Sequence, residues 1–192
     1  MKRFISVYLL GALFFLNINS VYSQISQGGN PISLNQKNLK SNIPIFNVNK
    51  PDMEKILMED LENMRKGRAH RTGILVETNI NPKSHGLWET LPNGDLLWRL
   101  KINSSDALGT ALYFDDFYLP AGAKLFVYTP KYAEVIGAFT DFNNHESRLM
   151  ATQSLRGEEF TVELFLPKSK ALDYSLNISE VAHIYRGSDL VS

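Results

Sequence analysis

The chain has 192 residues, with 20 lysines and arginines against 20 aspartates and glutamates, 44% hydrophobic residues and no cysteine. The balanced charge removes the electrostatic case for a nucleic-acid partner. The absence of cysteine excludes disulfides, cysteine nucleophiles, cysteine–zinc sites, thiolate-held clusters and a lipid-modified cysteine.

Residues 1–23 read as a secretory signal peptide. Met1-Lys2-Arg3 is basic, Phe4 to Leu16 is almost wholly apolar, and Val21-Tyr22-Ser23 ends on a small residue suited to cleavage before Gln24. The apolar run is short for a membrane span and Asn17 and Asn19 interrupt its end, which favours cleavage over the alternative of an uncleaved anchor. The expected location is therefore extracellular or periplasmic, with no membrane attachment after cleavage near Ser23. Without Lys2 and Arg3 the exported chain, Gln24 to Ser192, has 18 basic and 20 acidic residues, a formal charge of −2. A domain of about 150 residues buries near 70% of its unfolded surface, so a core without disulfides is feasible.

Residues 24–50 are rich in Asn, Gln, Ser, Gly and Pro without a sustained apolar period, and read as an extended, flexible lead-in. Residues 51–72 read as a helix and a basic linker. Pro51 suits a first helical position, and Asp52 and Glu54 favour the positive end of the helix dipole. Met53, Ile56, Leu57, Leu61 and Met64 recur at helical spacing on one face, and Gly67 can cap the end.

From Gly73 to Gly187 the pattern is that of β-structure. Candidate strands are Ile74–Ile80, Leu96–Asn103, Thr110–Asp115, Lys124–Tyr128, Val135–Thr140, Arg148–Thr152, Phe160–Leu166 and a last one within Tyr174–Tyr185. Leu96, Trp98, Leu100 and Ile102 alternate with Leu97, Arg99, Lys101 and Asn103, placing the first set inward and the basic residues on the other face. Phe160, Val162, Leu164 and Leu166 alternate with Thr161, Glu163 and Phe165. Pro92-Asn93-Gly94-Asp95 and Leu119-Pro120-Ala121-Gly122 are turns. Eight short strands with turns between them predict an all-β, antiparallel, jelly-roll-like sandwich preceded by one amphipathic helix, with Trp98, Leu100, Ile102, Phe114 and Leu125 as its core motif. Residues 188–192 read as a truncated connection.

No residue pattern carries catalysis. A serine-protease triad needs a nucleophile, a base, an orienting acid and an oxyanion hole. His70, His85, His145 and His183 are the only imidazoles, and neither Gly-x-Ser-x-Gly nor Gly-Asp-Ser-Gly-Gly occurs. Asp141, Asn143, Asn144 and Glu146 are oxygen ligands of the kind calcium uses, but they lack EF-hand spacing and read as a solvated loop, as do Asp115-Asp116. No metal and no cofactor is expected. The basic cluster Arg65, Lys66, Arg68, His70 and Arg71 reads as a helix end running into a solvated linker, or as a processing site. Arg65, Lys66, Arg68, Arg71 and Arg186 are the candidate processing residues. Trp88, beside turn residues, is the better candidate for an exposed aromatic, and Trp98 for a core one.

The order Trp98, Ile102-Asn103-Ser104, Ala107, Phe114, Leu119-Pro120, Gly122-Ala123, Leu125 and Tyr128 resembles a known family. It continues through Val135-Ile136-Gly137-Ala138-Phe139-Thr140, Asn143-Asn144 and Phe160 to Leu166, and closes at His183-Ile184-Tyr185-Arg186-Gly187. The chain is similar, over about Gly73 to Gly187, to the N-terminal pro-region of secreted bacterial trypsin-like serine endopeptidases of the lysyl-endopeptidase type. The resemblance implies a non-catalytic module that assists folding of a serine protease domain downstream in the same polypeptide, or inhibits it until cleavage. None of that domain's catalytic residues has a counterpart here. The alternative is a free-standing secreted binding module for carbohydrate or another surface ligand, since sandwich folds host many functions.

Overall fold

A computed structural model of the chain describes residues 26–187, so the expected signal peptide and the connection after Gly187 lie outside the described residues. Two sheets face each other across an apolar core. The strands are β1 (Ile45–Asn47), β2 (Gly73–Ile80), β3 (Leu87–Thr90), β4 (Leu96–Asn103), β5 (Gly109–Tyr118) and β6 (Lys124–Tyr128). They continue as β7 (Val135–Phe139), β8 (Met150–Ala151), β9 (Leu155–Arg156), β10 (Glu159–Leu166) and β11 (Ser175–Ile184), and Met53–Arg65 form the α-helix α1.

The first sheet runs β1-β4-β10-β6-β7, with β3 also pairing β4; the second runs β2-β11-β5-β8, with β9 also pairing β5. All the pairings are antiparallel except that of β1 with β4, which is parallel, with Phe46 opposite Ile102. Trp98, Leu100, Ile102, Phe114 and Leu125 all lie in one buried cluster between the sheets. Among the described residues the fold is an all-β sandwich with a single α-helix. Three strands escape the sequence pattern: β1, β3 and β9 are four residues or fewer, too short for a period to register.

The outer face of the first sheet is not a solvent face. Arg99 and Glu163, which alternation places there, are both buried. Arg99 is ion-paired with Glu89 on β3 and donates to the Lys40 carbonyl at 2.8 Å. Glu163 accepts from the backbone N–H of Ile32 at 2.6 Å, from that of Ser33 at 3.3 Å and from the Tyr128 hydroxyl at 3.1 Å. A buried carboxylate is tolerable only when hydrogen-bonded in this way. Its backbone donors come from a 3-10 turn, Ile32–Asn35, in a segment that is hydrogen-bonded along the sheet. Gln27 N–H donates to the Ala138 carbonyl at 3.0 Å, Ala138 N–H donates to the Gly28 carbonyl at 3.0 Å, and the lead-in ends as β1.

The helix begins two residues later than Pro51 suggests, at Met53. Asp52 is the N-cap and accepts from Lys55 N–H at 3.1 Å, so Pro51 precedes the cap. Only Ile56 and Asp60 of α1 are buried. Leu57, Met58, Leu61 and Met64 are 44–59% exposed. The apolar stripe therefore points largely away from the sandwich, and a carboxylate points in.

Candidate functional site

Asp60 is 3% exposed and gathers three side chains. Arg71 Nε donates to its Oδ1 at 3.0 Å. The Tyr185 hydroxyl donates to its Oδ2 at 2.7 Å, and Arg186 Nη2 lies 3.3 Å from the same oxygen. Arg71 Nη2 also donates to the carbonyl of Ile56, which lies on α1. The main chain joins in, because the N–H groups of Tyr185 and Arg186 both donate to the Thr72 carbonyl, at 3.2 and 3.1 Å. The Tyr185 hydrogen bond, with the Arg71 and Arg186 guanidinium groups beside it, holds the Asp60 carboxyl below the usual carboxylate range against the opposing effect of burial. This clasp fastens the helix to the segment that enters β2 and to the segment that leaves β11.

The five candidate processing residues thus separate into two groups. Arg71 and Arg186 converge on Asp60. Arg65, Lys66 and Arg68 stay exposed at the helix end, where Lys66 pairs with Glu62 at 2.5 Å and Arg68 donates to the Asn63 side chain at 3.0 Å. Sequence reasoning missed Asp60 and Tyr185. The available signal was spacing, since Asp60 lies one helical turn from Ile56 and shares its face.

Three histidines each sit beside a serine hydroxyl: His85 by Ser84 at 2.9 Å, His145 by Ser147 at 2.8 Å and His183 by Ser104 at 2.9 Å. His70 is exposed. Among the described residues no carboxylate hydrogen-bonds any of these rings. Ser104 and His183 are also both buried, closed to any substrate. Burial pushes the His183 pKa below its ordinary 6.5, with nearby Asp106 opposing and Lys50 adding to the effect. The fold thus excludes a proton that the unfolded chain accepts, and stability is expected to decline as the pH falls below 6.5. Urea midpoints measured from neutral pH downward should reveal this, and His183→Gln should flatten the decline. Parallel profiles for the two proteins would refute it.

The residues that mark the chain as a module are now placed: Trp98, Ile102, Phe114 and Leu125 line the core, and Tyr185 and Arg186 close the clasp. The family model of the lysyl endopeptidase N-terminal domain matches residues 60–185. The chain belongs to this family. The matched span begins at Asp60 and ends at Tyr185, the two residues whose side chains meet at 2.7 Å. No solved structure matches the chain.

Elsewhere in this lysyl endopeptidase N-terminal domain, polar groups serve the fold. In the loop at 141–146, Asn144 accepts from Leu119 N–H at 2.9 Å and donates to the Leu119 carbonyl at 2.7 Å, copying a strand partner. Asn143 accepts from Thr140 N–H at 2.8 Å. Asp116 is engaged by Ser175 and, at 3.0 Å, by Arg148. Trp88, the expected exposed aromatic, is half-buried, donating to the Pro82 carbonyl at 2.9 Å and tilting against Tyr174. Tyr174 borders an open cleft of about 380 Å³ that Asn79, Asn81, Lys83, Asp115 and Asn177 also line. Among the described residues no helix is long and apolar enough to cross a membrane.

Proposed function

We propose that the chain is the non-catalytic pro-region of a secreted trypsin-like serine endopeptidase, which assists folding of the protease domain that follows it or inhibits that domain until cleavage. The family match from Asp60 to Tyr185 carries this reading. Processing would fall among Arg65, Lys66 and Arg68, where side chains are exposed, rather than at Arg71 or Arg186, whose guanidinium groups are engaged by Asp60. The partner is the protease domain in the same polypeptide, reached after export with the signal peptide removed near Ser23.

The test is direct. The exported chain, Gln24 to Ser192, should cleave no Lys- or Arg-containing peptide. Added in trans to the trypsin-like domain encoded downstream, it should slow peptide turnover by about tenfold or more, or raise the yield of active enzyme on refolding by a similar factor. A chain that changes neither turnover nor refolding yield would sink the proposal. The second reading, a free-standing binding module, draws on the cleft beside Tyr174, where amides, carboxylates and an aromatic ring suit a hydroxyl-rich ligand such as a sugar. It predicts ligand binding that Asn177→Ala and Asp115→Ala abolish.

A further inference from the structure

We infer that the outward face of α1, formed by Leu57, Met58, Leu61 and Met64, is the surface on which the protease domain docks; this rests on the pro-region reading. An amphipathic helix ordinarily turns its apolar stripe to the core and its charges to water. Here the order is reversed. Asp60 points inward and is 3% exposed, whereas the four apolar side chains are 44–59% exposed and lie on adjacent helical positions. Leu75 on the edge strand β2 is a further exposed apolar side chain, 49% accessible. Polar bonds through Asp60 hold the helix in place, so its apolar side is left for something else. A contiguous apolar group of this kind on a monomer marks an interaction surface.

The occupant follows from where the polypeptide goes next. Arg186 and Tyr185 are tied to Asp60 at 3.3 and 2.7 Å, so the last described residue, Gly187, lies close to the helix. A domain joined there is held at high effective concentration beside this face, and weak apolar contacts then suffice for a stable intramolecular complex. Long unbranched Met58 and Met64 adapt readily to a partner surface.

The test compares three forms of the exported chain for binding to the downstream protease domain in trans. These are wild type, the combined Leu57→Gln, Leu61→Gln and Met64→Gln variant, and a control with Tyr113→Ser on the second sheet and Leu149→Ser just before β8. Glutamine keeps helix propensity, and urea midpoints verify that each form is folded. The helix variant should weaken binding by about tenfold or more, as loss of apolar anchors does, and the control by less than about twofold. Should the triple variant fail to fold, Leu61→Gln alone should weaken binding by about threefold or more. A folded helix variant that binds like wild type would overturn the docking face and leave the pro-region reading intact. Wild type that does not bind would overturn both. Sedimentation showing a wild-type dimer that the helix variant abolishes, with protease binding unchanged, would assign the face to a second copy and overturn the inference.

Discussion

Replacing Trp98 with alanine should destabilise the fold by about 3–5 kcal/mol, the range for deleting a buried aromatic side chain. The indole is wholly buried in the central cluster, on a strand flanked by β3, β1 and β10. It lies opposite Trp88 on β3 and Leu164 on β10. Its Nε1 donates to the His85 carbonyl at 2.7 Å, so truncation leaves that acceptor unpaired as well as opening a cavity. Urea unfolding of the exported chain measures the loss. A change below about 1 kcal/mol, typical of surface sites, would show that the indole does not organise the core.

Gly86→Ala should be nearly as damaging, for a different reason. Gly86 has φ +82°, and a Cβ there would lie 2.3 Å from Trp98 Nε1, 2.6 Å from Trp98 Cε2 and 2.9 Å from the Arg99 carbonyl oxygen. The left-handed backbone costs a residue with a side chain about 1–2 kcal/mol, and overpacking against a fixed ring adds about 1–3 kcal/mol. The two costs can be separated. In a Trp98→Ala background the ring is gone, so Gly86→Ala should keep its backbone share and its close approach to the Arg99 carbonyl but lose the clash with the indole. A double-mutant cycle should therefore return a coupling of at least about 1 kcal/mol. Strict additivity would mean that the loop moves aside from the indole.

Elements that carry strong alternation were legible in the sequence. β4 and β6 have the expected limits because Leu96 to Asn103 and Lys124 to Tyr128 are bracketed by turn residues. What alternation cannot disclose is whether the second face of a strand meets water. Arg99 and Glu163 fall on the faces opposite the core residues and are buried all the same, because other segments supply Glu89, the Lys40 carbonyl and the Ile32 and Ser33 amides. The lead-in has no apolar period because backbone hydrogen bonds, which carry no side-chain signature, attach it. The clasp was half legible. Arg71 and Arg186 stood out as cations, but Asp60 lies 11 residues from the first and 126 from the second, and only the fold brings them together. The helical spacing of Leu57, Leu61 and Met64 was readable, whereas its outward orientation depends on which face Asp60 anchors.

The attachment of residues 26–65 at several separate points distinguishes scission from separation. Between Arg65 and Arg71 the chain could be cut once and still travel as one particle. The piece before the cut would be gripped by Glu163 through Ile32 and Ser33, by the β1–β4 ladder and by Asp60 against Arg71. Acid, which protonates the Asp60 carboxyl, would release one of these grips and leave the backbone ladder in place.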